Sequence, residues 1–134
     1  MSAIPRRHEP EPMPADDAIA AAARAFFRAA DLWGLTNDEC RTLLGRPARA
    51  TYFQWKRGET KNLPYDTVRR VSWILGTYKA LQILFPLPER ADAWLKRENA
   101  LFGGQRPLDR MLAGDVTDLA FVRRTLDAVR GGGA

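Results

Sequence analysis

One short stretch of the sequence, residues 46–61, carries residue types that suit contact with nucleic acid. Five of its residues are basic against a single acid, Glu59, and polar and aromatic side chains lie between them. Arginine and lysine neutralise phosphates, while arginine, threonine and glutamine can hydrogen-bond to base edges in the major groove. The candidate DNA contacts are Arg46, Arg49, Thr51, Gln54, Lys56, Arg57 and Lys61.

Residues 35–58 supply the elements that would position these side chains. Thr36 and Glu39 have the S/T-x-x-E spacing of a capping box, which predicts that a helix begins there. Gly45 predicts the end of that helix in a positive-φ turn, and Pro47 suits the first turn of a second short helix. Two short helices joined by a tight glycine turn form a helix-turn-helix. An ordinary two-helix corner with a solvated basic face is the alternative interpretation.

The inward face of the second helix is ambiguous from the sequence. Tyr52 and Trp55 are spaced to share one buried face, whereas Ala50 and Phe53 are spaced to share a competing one. On the first helix, Cys40 lies on the apolar side and is interpreted as a small buried hydrophobic residue.

The sequence predicts no catalytic, metal or cofactor site. His8 is the single histidine and falls in the proline-rich first fifteen residues, so no second ligand or catalytic partner accompanies it. Gly103 and Gly104 are not followed by the Gly-Lys-Ser/Thr sequence of a phosphate loop, and they are interpreted as a tight turn. We therefore expect a binding protein rather than an enzyme.

Composition limits the remaining possibilities. The chain has 134 residues, 46% of them hydrophobic, and a net charge of +5, which fits one domain with an anionic partner. One cysteine excludes an internal disulfide framework and fits a reducing compartment. There is no apolar run long enough to span a membrane and no signal-peptide pattern. We expect a cytoplasmic protein without a membrane partner.

Helical periodicity runs through the first two thirds of the chain. After a proline-rich tail over residues 1–15, which is expected to be disordered, a helix is predicted from Asp16 or Asp17 to Gly34. A long helix over residues 63–85 is apolar around most of its circumference, so it is either the centre of the domain or half of a dimer interface. No strand pattern occurs, and the predicted fold class is all-α.

The last third is also predicted to be helical. ERADAWLKREN reads as one helix, a second begins at Pro107 and closes at Gly114, and a third begins at Thr117 or Asp118. Arginines occupy the outer side of that last helix: Arg123, Arg124 and Arg130. They could meet an acidic protein surface, although a solvated face would have the same composition.

The segment AWLKRENALFGGQRPLDRMLAGDVTDLAFVRRTLDAVRGG resembles the toxin-binding domain of the Xre/MbcA/ParS antitoxins. The matching pattern comprises a tryptophan helix, an asparagine, a Gly-x-x-Pro-Leu turn, a helix ending in glycine and a Val-x-x-x-Leu helix. Its positions here are Trp94, Asn99, Gly104, Pro107, Leu108, Gly114, Val122, Leu126 and Gly131. The preceding helices, including LLG…TYFQWKRG, are similar to the Xre-type DNA-binding half of the same proteins.

This resemblance implies a bacterial type II antitoxin that usually acts as a dimer. Its partner would be a RES-domain toxin that consumes NAD⁺, and the antitoxin would cover access to the NAD⁺ site. It would also repress its own operon through the helix-turn-helix. The residues assigned to toxin contact are Gly104, Pro107, Leu108, Arg123, Arg124, Leu126 and Arg130.

The implied organisation is a tail over residues 1–15, an Xre-type helix-turn-helix domain over 16–86 and a toxin-binding helical domain over 87–134. Two other functions stay open at this point. A stand-alone repressor would use its C-terminal helices only to dimerise. A protein-interaction module would retain the helix-turn-helix without reading DNA, and it would show no salt-dependent affinity for DNA.

Overall fold

The computed structural model describes residues 13–131, and all of their regular secondary structure is helical. The α-helices are α1 Asp16–Leu32, α2 Asn37–Leu43, α3 Arg49–Lys56, α4 Tyr65–Leu84, α5 Pro88–Ala93, α6 Pro107–Met111 and α7 Val116–Arg130. Two 3-10 turns, Trp94–Lys96 and Ala100–Phe102, lie between α5 and α6. Since this part of the chain contains no strand, the predicted all-α fold is confirmed. Most of the predicted tail, with His8, lies outside the described residues.

Helix α4 is the centre of the fold. It packs most extensively against α7 and next against α1. Its residues Ile74 and Leu81 have no exposed surface and belong to one core cluster with Phe26 of α1 and Leu126 of α7. Most of the apolar circumference of this helix is therefore buried within the chain, which makes α4 the centre of the domain, while Ile83 near its end is exposed. Because burial of apolar surface is the main stabilising term in folding, the two halves of the chain depend on the same core.

Gly76 explains how α7 approaches α4 closely. A Cβ at this position would overlap the guanidinium of Arg123. Arg123 is half-buried and pairs with Asp127 on the next turn of α7, with 3.1 Å between Nε and Oδ1. The missing side chain of Gly76 makes room for this arginine between the helices.

Several predicted helix boundaries differ from the observed ones, including the three that follow. Pro47 precedes α3 rather than opening it, and its carbonyl accepts hydrogen bonds from the Arg41 guanidinium. Helix α7 begins at Val116, since Asp115 is the N-cap residue and its N–H donates to Asp118 at 3.1 Å. Only the first part of the helix predicted over ERADAWLKREN is an α-helix, α5. It is followed by the 3-10 turn Trp94–Lys96.

Candidate nucleic-acid interface and partner-binding surface

The helix-turn-helix is formed by α2, the turn 44–48 and α3, and it is fixed at its entrance. The amide of Glu39 donates to the Thr36 hydroxyl at 3.1 Å, and the Glu39 carboxylate accepts from the Thr36 amide at 2.9 Å. These bonds satisfy two amides that a helix start otherwise leaves unpaired. The predicted capping box is therefore confirmed.

The turn between the helices is held from the core side. The Thr67 hydroxyl of α4 donates to the carbonyl of Leu44 at 3.0 Å. Gly45 has a φ of +98°, which favours glycine, and Arg70 lies directly beneath it. The Arg70 side chain is buried and donates from Nε to Asp66 at 2.7 Å. The angle between α2 and α3 is thus set by contacts with α4.

The orientation of α3 resolves the ambiguity in its aromatic residues. Tyr52 and Trp55 are buried in the core, so the outward face of the helix carries Ala50, Gln54 and Arg57. A small alanine lets a helix approach a surface closely, and a glutamine can bond to an adenine edge. This face is the part of α3 that is free to enter a groove.

The flank of α3 that faces α2 holds two of the predicted DNA contacts. Lys56 donates to Asn37 Oδ1 at 2.9 Å, and Arg49 Nη1 lies 3.3 Å from Asp38 Oδ1. The Tyr52 hydroxyl donates to the same Asn37 oxygen at 2.8 Å, and burial raises the pKa of this hydroxyl, so it remains a donor. The contacts of Asn37 and Asp38 with α3 were not predicted from the sequence, although both residues directly follow the Thr36 cap.

The opposite flank of α3 borders a surface groove of about 890 Å³ between α1 and the loop that follows α3. Thr51, Gln54 and Lys61 line it together with Asp16 and Asp17 at the start of α1. Residues 46–61 contain five basic residues and one acid in the sequence. Since carboxylates stand on both flanks of α3, the surface is less basic than the linear stretch.

The structure brings five of the seven predicted DNA contacts together on α3 and its end. These are Arg49, Thr51, Gln54, Lys56 and Arg57, of which Thr51 is half-buried and the others are exposed. Lys61 lies in the following loop. Arg46 lies apart, in the turn before α3, and its guanidinium reaches Gly114 in the turn between α6 and α7. A Cβ at Gly114 would stand 2.9 Å from Arg46 Nη2.

Arg46 permits a test that separates backbone strain from charge. Its φ of +60° is unfavourable for a side-chain-bearing residue. We expect Arg46→Gly to leave the free energy of unfolding unchanged or to raise it by up to about 1 kcal/mol, because the left-handed strain disappears. If Arg46 contacts a phosphate, DNA affinity falls and the salt slope of binding decreases by about 1. Urea unfolding and fluorescence anisotropy at several salt concentrations measure the two effects.

Arg46→Lys is the matched control for this test, because it keeps both the charge and the strained backbone. Its salt slope should equal that of the original protein. A loss of stability in Arg46→Gly would contradict the prediction and would show that contact with the Gly114 turn holds the fold together.

The loop before α6 is a defined turn. Asn99 caps it by accepting from the Leu101 amide at 2.9 Å, and both Gly103 and Gly104 have positive φ. The amide of Arg106 donates to the Asp109 carboxylate at 3.1 Å, and the Arg106 guanidinium pairs with that carboxylate at 2.7 Å. These hydrogen bonds lower the pKa of Asp109, so the carboxylate stays charged.

The predicted toxin contacts divide between surface and core. Gly104, Arg124 and Arg130 are exposed, whereas Leu108 and Leu126 have no exposed surface and Pro107 is buried. Pro107, Leu108 and Leu126 therefore stabilise the C-terminal helices, and their prediction as direct contacts is corrected. A periodic apolar pattern cannot separate the two roles, because core and interface residues are both apolar.

Other kinds of site find no support among residues 13–131. No group of three or more histidine, cysteine, aspartate or glutamate residues in this range could hold a metal ion. Burial raises the pKa of the Cys40 thiol, which keeps it protonated and poorly nucleophilic. Within the same residues, no helix is both long and apolar enough to cross a membrane.

Comparison with known proteins gives the family. Residues 15–76 match the antitoxin Xre-like helix-turn-helix domain, and residues 80–132 match the antitoxin Xre/MbcA/ParS C-terminal toxin-binding domain. The chain is also similar to y4oB, an uncharacterised protein of Sinorhizobium fredii (strain NBRC 101917 / NGR234). The two are 52% identical over 115 residues, which cover 85% of this chain and 88% of the relative. The chain therefore belongs to the Xre/MbcA/ParS antitoxins, with a DNA-binding helix-turn-helix followed by a toxin-binding domain.

Proposed function

We propose that this antitoxin neutralises a RES-domain toxin that consumes NAD⁺, by covering access to its active site, and represses its own operon. The observation that carries the proposal is the order of the two matched domains on one shared core. The RES identity of the toxin rests on the resemblance of the C-terminal helices to the partners of such toxins. We assign DNA contact to residues 16–86 and toxin contact to residues 87–134.

The DNA half of the proposal places α3 in the major groove. Gln54 and Arg57 point outward from α3, and Arg49 and Lys56 stand at its edge beside α2, where phosphates pass in helix-turn-helix complexes. Because Arg49 and Lys56 already have partners on α2, they are oriented before DNA arrives, which lowers the entropic cost of binding. Thr51, Arg46 and Lys61 complete the proposed DNA contacts.

The proposed oligomeric state is a homodimer. A helix-turn-helix reads only a few base pairs, so proteins of this kind gain affinity by placing two recognition helices in successive major grooves. We therefore expect an operator with two half-sites about one helical turn apart.

The toxin half of the proposal uses exposed residues of the C-terminal helices. Arg124 and Arg130 are exposed on α7, and Gly104 lies in the exposed turn before α6. The Arg124 guanidinium lies 5.4 Å from the ring centroid of Trp73 on α4. This cation–π contact stabilises the positive charge of Arg124 at the surface. An acidic rim around the toxin's active site would be complementary to these arginines.

Co-purification with the product of the neighbouring gene tests the proposal. The NAD⁺ consumption of that product is measured with and without the antitoxin, and a stable complex in which consumption stops is expected. A partner that binds without losing NADase activity would contradict neutralisation. If no partner binds but the protein shifts its own promoter DNA in a salt-dependent manner, the protein is a stand-alone repressor instead.

A further inference from the structure

An aromatic row crosses the surface of the C-terminal helices. The ring centroids of Trp94 and Phe102 are 5.7 Å apart, and those of Phe102 and Phe121 are also 5.7 Å apart, in both cases edge to face. Edge-to-face pairs are favourable beyond the apolar area they bury. The row links the two 3-10 turns to α7.

The outer part of this row is open to solvent. Phe121 is 37% exposed, and Leu101, beside Phe102 on the same 3-10 turn, is 57% exposed. The Arg110 guanidinium carbon lies over the Phe121 ring, 4.0 Å from its centroid, and Arg110 Nε donates to Asp118 at 2.8 Å. We call Trp94, Leu101, Phe102, Arg110 and Phe121 the aromatic surface.

The aromatic surface is formed before any partner binds. The Asn99 cap and the positive-φ glycines at 103 and 104 hold the turn that carries Leu101 and Phe102. Asp118 and the Phe121 ring fix the guanidinium of Arg110. Side chains that are already ordered lose little entropy on association. Aromatic residues and arginine are also the types that most often dominate binding energy at protein interfaces.

We propose that the aromatic surface is the main contact for the toxin and that it receives an apolar side chain flanked by a hydrogen-bond acceptor. This inference rests on the proposed function. The toxin is the favoured occupant because the whole surface lies within residues 80–132, the range matched by the toxin-binding domain. The acceptor follows from Arg110, since a guanidinium carries five N–H donors and the bond to Asp118 uses only its Nε. The α7 arginines then form the rim of the interface.

Leu101→Asp tests the proposal with a closely matched control. Leu87 is 54% exposed and lies in the same matched range but outside the aromatic surface, so Leu87→Asp makes the same change at similar exposure. We expect Leu101→Asp to weaken toxin affinity by about 30-fold, the effect of losing one dominant contact, and Leu87→Asp to change it by less than about threefold. Full-length proteins are compared by isothermal titration calorimetry against the purified toxin.

Circular dichroism melts and light scattering accompany the titrations. A Leu101→Asp protein that melts normally and still binds the toxin at the original affinity would overturn the proposal. The proposed function would still stand in that case, because the original protein binds the toxin. If Leu101→Asp instead dissociates a dimer without changing toxin affinity, the surface belongs to a second copy and the proposal fails. Failure of the original protein to bind any toxin would refute both the proposed function and this inference.

Discussion

Leu126→Asp is expected to unfold both halves of the protein rather than the C-terminal helices alone. Leu126 lies on α7 with no exposed surface and belongs to the same core cluster as Ile74 of α4 and Phe26 of α1. An unpaired carboxylate at this position costs at least about 4 kcal/mol, since it adds a buried charge to the loss of apolar packing. A small domain of typical stability, with about 5–15 kcal/mol in total, does not tolerate such a loss well.

The expected readout is a loss of helical circular dichroism across the chain, together with loss of both DNA binding and toxin binding. Val129→Asp is the control, because Val129 is on the same helix but exposed, and it should melt within a few degrees of the original protein. Retained operator binding by Leu126→Asp would contradict the shared core and would show that residues 16–86 fold independently.

Replacing Arg49 and Gln54 together with alanine is expected to weaken operator binding by about 30- to 100-fold, because a specific base contact is worth about 1–3 kcal/mol and a charge contact is also lost. Both side chains are exposed, and the Arg49–Asp38 pair at 3.3 Å is a surface pair that contributes under about 1 kcal/mol to stability. Folding and toxin neutralisation should therefore be unchanged. Anisotropy titrations over a range of salt should also show a slope reduced by about 1, for the phosphate contact of Arg49.

A matched double variant, Arg130→Ala with Gln105→Ala, removes the same residue types from exposed positions in the C-terminal half. It should bind the operator like the original protein, apart from a small general charge effect. The Arg49/Gln54 variant could lose toxin neutralisation as well as DNA binding, or lose neither. Either result would contradict the assignment of DNA contact to α3 and of toxin contact to the C-terminal helices.

Local rules were sufficient where the cause of a structure lies within a few residues. The Thr36–Glu39 capping box, the glycine turn at Gly45 and the long helix that became α4 each depend on neighbours in sequence, and each is present as predicted. The preference of proline for the first turn of a helix did not predict the start of α3. This helix begins at Arg49, and the Pro47 carbonyl accepts a hydrogen bond from Arg41 instead.

Function was predictable at the level of the family and less so at the level of residues. A motif fixes residue types at given spacings, but it does not say which of them reach the surface. Leu108 and Leu126 fit the family pattern because they are core residues of the toxin-binding domain, and burial removes them from direct contact. The aromatic surface could not be predicted from the sequence, because its residues lie on different elements that come together only when the helices pack.

The sequence by itself determined the all-α class, the helix-turn-helix and the antitoxin family, since periodicity, caps and spaced motifs are written in the order of residues. Only the tertiary structure decided that α4 is the shared centre of both halves, that Tyr52 and Trp55 are buried while Phe53 is only partly buried, and that Asp38 stands beside Arg49. The physical reason is the same in each case. Burial and charge pairing depend on distances between elements far apart in the chain, and these distances exist only after the helices have packed.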